Sequence, residues 1–258
     1  MPLHYLVNLN SDRLKEAVNR GVEAARRWCV EQGIPLSGRD GGRDGHRPED
    51  RTGLRFTEEM KGYVAFGETD FDAGFREGRK EDNFLMFHLT IEVDGVERFV
   101  SDPRREASAK GYVRCEALGG ELPVEKGVFN LFVDQGDPGL KRMLYRLFLR
   151  DGAGHPLTLS GFKVVEDDPG SDLWTDTTTL FTRVLRGHVE AEDEAGAEVV
   201  ASGIIRIYFL DFLVQLTTFR TEGPTPAERA TALSRFGKLF LGDLWNVYAR
   251  RVLSSSPF

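Results

Sequence analysis

Ala201-Ser-Gly-Ile-Ile-Arg-Ile-Tyr-Phe-Leu-Asp-Phe-Leu-Val-Gln-Leu-Thr-Thr-Phe-Arg220 reads as β-strand, and its two faces do not sort into apolar and polar. One face carries Gly203, Ile205, Ile207, Phe209, Asp211, Leu213, Gln215, Thr217 and Phe219. The other carries Ile204, Arg206, Tyr208, Leu210, Phe212, Val214, Leu216, Thr218 and Arg220. A strand with one wet face alternates cleanly. This one is largely apolar on both faces, with Arg206, Asp211 and Gln215 set into it. Burial of such groups is costly unless each finds a partner. The pattern suits a barrel or sandwich whose interior holds something mostly apolar.

Composition supports that reading. The chain has 258 residues, enough for one large all-β domain with added helices. Its 18 Phe against 6 Tyr and 3 Trp favour a substantial apolar interior. The net charge of −7 argues against nucleic acid as a partner. Cys29 and Cys115 form no CxxC pair and read as two reduced thiols, with neither zinc nor a disulfide implied. The N-terminus lacks a basic start followed by a long apolar run, so no signal peptide is expected. No window is apolar enough for a membrane span, and the expected location is cytoplasmic.

Four segments follow along the chain. Residues 1–33 read as an amphipathic helix with the stripe Leu14, Ala17, Val18, Val22, Ala25, Trp28 and Cys29. Residues 34–52, with Gly38-Arg-Asp-Gly-Gly-Arg-Asp-Gly45, read as a polar flexible linker. Residues 53–223 read as strands and hairpins, an antiparallel lipocalin-like barrel of roughly eight to ten strands. Within them Asp94-Gly95 is expected to turn the chain into a strand over Val96–Val100. Further strands fit Gly111–Ala117 and a long hairpin of Leu173–Val189 with Val199–Thr221. Residues 224–258 read as a helix packed on the barrel. Thr225, Pro226 and Glu228 form its capping box, and Leu233, Phe236 and Leu239 its apolar stripe.

Candidate chemistry is sparse. The acidic run Glu190-Ala-Glu-Asp-Glu-Ala-Gly196 reads as a solvated turn. Asp167-Asp-Pro-Gly170 reads as a turn rather than a calcium loop. On the strand after it, Trp174, Asp176, Thr178, Leu180 and Thr182 share one face, which offers an aromatic wall with polar anchors if it points inward and is an ordinary wet face if it points outward. His88 alternates with apolar neighbours and is placed on the solvent side. Asp211 is expected to pair with a cation or a tyrosine, from among Arg206, Tyr145, Arg146 and Lys163. No nucleophile elbow, HExxH pair or Cys-His dyad occurs.

Several segments resemble an uncharacterised β-rich module of bacterial proteins related to GMC-type, cholesterol-oxidase-like oxidoreductases. They are Leu54-Arg-Phe-Thr-Glu-Glu-Met-Lys-Gly62, Phe87-His-Leu-Thr-Ile91, Phe129-Asn-Leu-Phe132, Ser160-Gly-Phe-Lys-Val164, Asp172-Leu-Trp-Thr-Asp-Thr-Thr-Thr-Leu180 and Asp211-Phe-Leu-Val-Gln-Leu-Thr-Thr218. The resemblance implies sterol or lipid metabolism and an oxidoreductase partner. It does not carry flavin chemistry, because the G-x-G-x-x-G fingerprint is missing, and no cofactor is expected.

The leading expectation is a barrel that binds a lipid, sterol or other apolar small molecule. Trp174, Asp176, Thr178, Tyr208, Asp211 and Gln215 would orient it. Two alternatives stand beside it. One is an isomerase or cyclase using Asp211 or Asp176 as general acid or base. The other is an interaction module with a filled core.

Overall fold

The computed structural model describes residues 52–134, 140–166, 179–207, 218–236 and 239. The predicted N-terminal helix, nearly all of the predicted linker, and the C-terminal helix beyond 236 (residue 239 apart) lie outside them.

Alternation builds the wall. In β2 (Phe84–Asp94), Leu85, Phe87, Leu89, Ile91 and Val93 are buried, while Met86, His88, Thr90 and Glu92 between them are not. The wall continues through β1 (Gly53–Phe66), β3 (Glu106–Cys115), β5 (Lys126–Asp134), β6 (Leu140–Arg150), β7 (Pro156–Glu166), β8 (Thr179–Arg186) and β9 (Val199–Arg206). These eight strands pair antiparallel in that order, and β9 pairs back onto β1. The result is a closed, lipocalin-like β-barrel. Two short strands, β4 (Gly120–Pro123) and β10 (Arg220–Glu222), occupy edges of β3 and β1 that β5 and β9 leave open.

One circuit of paired residues runs Arg55, Glu92, Ser108, Val128, Arg146, Ser160, Arg183, Ser202 and Ala65. It returns to β1 ten residues further along. Such a stagger tilts the strands by roughly 35–45° to the axis, and eight strands enclose space for side chains or one small ligand.

The double apolarity of 201–207 now has a cause. Ala201, Gly203, Ile205 and Ile207 lie on the face that points inward with Val64. Ser202 and Ile204 point outward, yet they are buried. A helix covers them: α1 (Phe71–Lys80), whose Gly74 and Gly78 bring it against the strand backbones. A Cβ on Gly74 would stand 2.2 Å from the Ser202 carbonyl oxygen, and one on Gly78 2.2 Å from that of Val64. Asp70 caps α1, its Oδ1 accepting from the Ala73 N–H at 2.8 Å. Arg206 sits on the outer face, its guanidinium 4.7 Å from the ring centre of Phe75.

Three expectations need correction. Val96–Val100 is not a strand but the start of helix α2 (Val96–Ser101). Gly95, at φ 87°, turns the chain so that Val96 and Phe99, three residues apart, both reach the core. The strand expected at Gly111–Ala117 begins earlier, at Glu106, and stops at Cys115, where a short 3₁₀ turn follows. The strand expected over Val199–Thr221 ends at Arg206, and Thr218 lies in a turn before β10.

The C-terminal helix, α3 (226–236), starts as its capping box predicts. The Glu228 N–H donates to Thr225 Oγ1 at 3.2 Å, and the Thr225 N–H donates back to Glu228 Oε2 at 2.9 Å. Its Phe236 seats in one end of the barrel, 6.1 Å from Phe56 and 5.9 Å from Phe99. Phe219 stacks on Phe56 at 4.8 Å and completes the plug. Arg235 of α3 pairs with Glu97 of α2 at the rim.

Candidate functional site

Inside this apolar wall stand three polar side chains that the sequence alone does not bring together. Glu58 (β1), Tyr145 (β6) and Lys163 (β7) are all on inward positions and buried. β1 and β6 are four strands apart whichever way the barrel is followed, so they face each other across its interior. Glu58 therefore reaches across the lumen. Its Oε1 accepts from Lys163 Nζ at 2.6 Å, and its Oε2 accepts from the Tyr145 hydroxyl at 2.7 Å.

Each contact answers a burial cost. An isolated carboxylate or ammonium in an apolar interior is strongly disfavoured. Here both carboxylate oxygens have a donor, and the ammonium lies 5.2 Å from the Tyr145 ring centre, a cation–π contact. Phe87 stacks on Tyr145 at 5.7 Å and Phe129 lies against it at 5.0 Å. Lys163 Nζ carries three N–H donors. Among the described residues, Glu58 is its one hydrogen-bond acceptor.

On the side away from α3, Val64, Leu85, Leu147, Leu180 and Ile205 are fully buried. That half is a filled core. Toward α3, Ile91 and Leu131 are likewise fully buried, while Met143, Ala107, Ile207, Lys163 and Glu58 keep 3–5% exposure.

Burial is the first reason that the Tyr145 hydroxyl titrates well above its ordinary range, and the Glu58 charge and the hydrogen bond to it follow. The unfolded chain's tyrosine titrates near 10. A pKa raised on folding gives stability that is fully present below about pH 10 and is lost as pH rises beyond it. Urea unfolding across pH 8–11 is expected to show stability falling above about pH 10. Tyr145→Phe should flatten that fall. An unchanged slope in the variant would place the alkaline loss elsewhere.

Glu59, Lys61 and His88 lie outside the lumen. On the outer face, Lys61 donates to Glu59 at 2.7 Å and His88 lies 3.5 Å from it. The Lys61 hydrogen bond, opposed by partial burial, holds the Glu59 carboxyl below its ordinary pKa, helped by the Lys61 charge and by His88. His88 stacks on Tyr112 and is on the solvent side, as its alternation predicts. Cys115 is buried, and that burial raises its thiol pKa. An open groove of about 400 Å³ lies outside the barrel, lined by Arg55, Thr57, Thr90, Thr218 and Arg220. Among the described residues no group of three or more His, Cys, Asp or Glu is placed to hold a metal ion. None of their helices is long and apolar enough to cross a membrane.

The six expected ligand residues, Trp174, Asp176, Thr178, Tyr208, Asp211 and Gln215, all lie outside the described residues. The four partners considered for Asp211 are described and have other company. Tyr145 and Lys163 hold Glu58. Arg146 pairs with Glu194 of the β8–β9 connection, and Arg206 stacks on Phe75. No protein-family model, curated protein or solved structure matches this chain.

Proposed function

We propose that this barrel binds a small, mostly apolar molecule that carries one hydrogen-bond acceptor, such as a carboxylate or carbonyl group. The acceptor would take a spare Lys163 N–H at mid-barrel, and the apolar body would lie toward the α3 end. The observation that carries the reading is the position of Lys163. It is an ammonium buried in the lumen, with three donors and, among the described residues, Glu58 as its one acceptor. Phe56, Phe129, Met143 and Ile207 supply apolar surface at that level. Such a site matches the usual composition of small-molecule pockets, apolar walls with a few placed polar groups. A carrier role, with an oxidoreductase receiving the ligand, follows from the resemblance given by the sequence.

The test is native mass spectrometry of protein purified without detergent, then denaturing extraction. Fatty acids, sterols and steroid ketones are added afterwards as a panel. A bound carboxylate or ketone is expected. At about a hundredfold excess over its Kd it should stabilise the fold by about 2.7 kcal/mol. Replacement of the whole brace (Glu58→Leu, Tyr145→Phe, Lys163→Met) should abolish binding while the barrel stays folded. A bare mass with no thermal shift from any panel member removes the reading.

A further inference from the structure

The outer face of β6–β8 carries a second arrangement that the barrel interior does not use. Arg142, on β6, holds its guanidinium 4.9 Å from the ring centre of Phe162, on β7. Phe162 stacks on Phe181, on β8, at 5.3 Å, and both lie within 5.7 Å of Phe71 at the start of α1. Arg183, on β8, lies 4.6 Å from the ring centre of Phe71. Two arginines therefore bracket three phenylalanine rings, and all five side chains are only partly buried.

Some arginines pair with a carboxylate, and others, Arg206 on Phe75 among them, stack on a ring. Arg55, Arg114, Arg146, Arg150, Arg186 and Arg235 each have a carboxylate partner. Among the described residues Arg142 and Arg183 have none, and the Nε of each is buried without a hydrogen-bond acceptor. A buried donor without an acceptor costs about 1–3 kcal/mol. Stacking on a ring leaves the two terminal NH2 groups of a guanidinium for a carboxylate, while the buried Nε stays out of its reach. The chain as a whole is acidic, at −7, and these cations are of the opposite sign.

We infer that this face docks an acidic segment of a partner protein, with carboxylates on Arg142 and Arg183 and an apolar side chain on the rings between them. Aromatic residues and arginine are the groups enriched where proteins bind one another. The spacing fits a peptide. Arg142 pairs with Val164 and Arg183 with Ser160, so the two are offset by four residues along β7 and stand on strands either side of it. Through the ring contacts the two guanidiniums stand no more than about 15 Å apart, at most four to five residues of extended chain.

Fluorescence anisotropy with a labelled peptide of Glu-Glu-Phe repeats tests this. Peptides of Lys-Lys-Phe and of Glu-Glu-Gly serve as controls. Saturable binding of the first alone is expected, weakening as salt rises from about 50 to 500 mM because exposed charges are screened. Arg142→Gln with Arg183→Gln should weaken it at least about tenfold, or about 1.4 kcal/mol, while Arg150→Gln leaves it unchanged. Should the double variant fail to fold, the salt dependence and the peptide controls decide. Equal binding of the lysine or glycine peptide, unchanged affinity in a folded double variant, or no saturation at about 1 mM overturns the inference.

Discussion

Lys163→Met is expected to lower the stability of this protein at neutral pH by about 3–5 kcal/mol. The loss does not come from the ion pair's own worth. It comes from the partner left behind, since Glu58 would keep only the Tyr145 hydroxyl as donor in an interior from which water is excluded. Removal of the whole brace behaves differently. Glu58→Leu, Tyr145→Phe and Lys163→Met together leave no polar group to satisfy. That triple variant should fall within about 1 kcal/mol of the wild type or exceed it, as buried ion pairs replaced by apolar residues often do. The non-additivity is the signature, because three side chains in contact form one energetic unit. Urea unfolding with a constant m-value would measure it. A single variant as stable as the wild type would mean that Glu58 reaches solvent or another donor. A triple variant as unstable as the single one would mean that the brace is a packing element. Either result bears on function, because a brace that adds no stability is retained for what it binds.

Much of the barrel is legible in the sequence because its strands obey a period of two. Leu85, Phe87, Leu89, Ile91 and Val93 announce both the strand and its buried face, and His88 falls on the solvent side for the same reason. The α3 start is legible because a capping box is a local arrangement of three residues. Local signals fail where distant packing overrides them. Asp94-Gly95 looks like a hairpin turn, yet Val96 and Phe99 gain more burial as one turn of helix under the core. α1 is hard to read because Gly74 and Gly78 depress helix propensity. Their purpose is close approach to β1 and β9, which only the assembled sheet reveals. The brace is hidden by sequence distance, since Lys163 and Glu58 are 105 positions apart. A signal for it is nonetheless present. Leu54, Phe56, Met60 and Val64 share an apolar face interrupted by Glu58, and Leu157, Leu159 and Gly161 share one interrupted by Lys163. One acid and one base, each alone on an inward face, are more informative than the doubly apolar strand. That strand's second face is explained as far as Arg206 by α1.

Gly62→Val is the other substitution expected to have a large effect, at least about 3 kcal/mol, the upper end of what overpacking costs. The barrel closes where β1 meets β9, and that seam carries glycine on both sides. A Cβ on Gly62 would stand 2.1 Å from the Ile204 carbonyl oxygen and 2.8 Å from the Ile205 Cα. One on Gly203 would stand 2.1 Å from the Tyr63 carbonyl oxygen. These neighbours are backbone, so no rotamer change relieves the clash, and the strands must part. Parting them breaks the ladder that closes the barrel and loosens α1, which rests on the same two strands through Gly74 and Gly78. Gly196→Ala is the control. A Cβ there, on the exposed β8–β9 turn, would meet no atom within 4 Å, and the change should stay within about 0.5 kcal/mol. Hydrogen exchange would localise the damage, with amides of β1 and β9 losing protection before those of β5 and β6. Glu58 lies on β1, four residues from Gly62, so a parted seam also moves the carboxylate that holds Lys163. Ligand retention should then fall with stability in Gly62→Val, whereas the brace-free triple variant loses the ligand and keeps the fold. A Gly62→Val protein with wild-type stability and unchanged exchange in β1 would show that the barrel does not depend on closure at this seam.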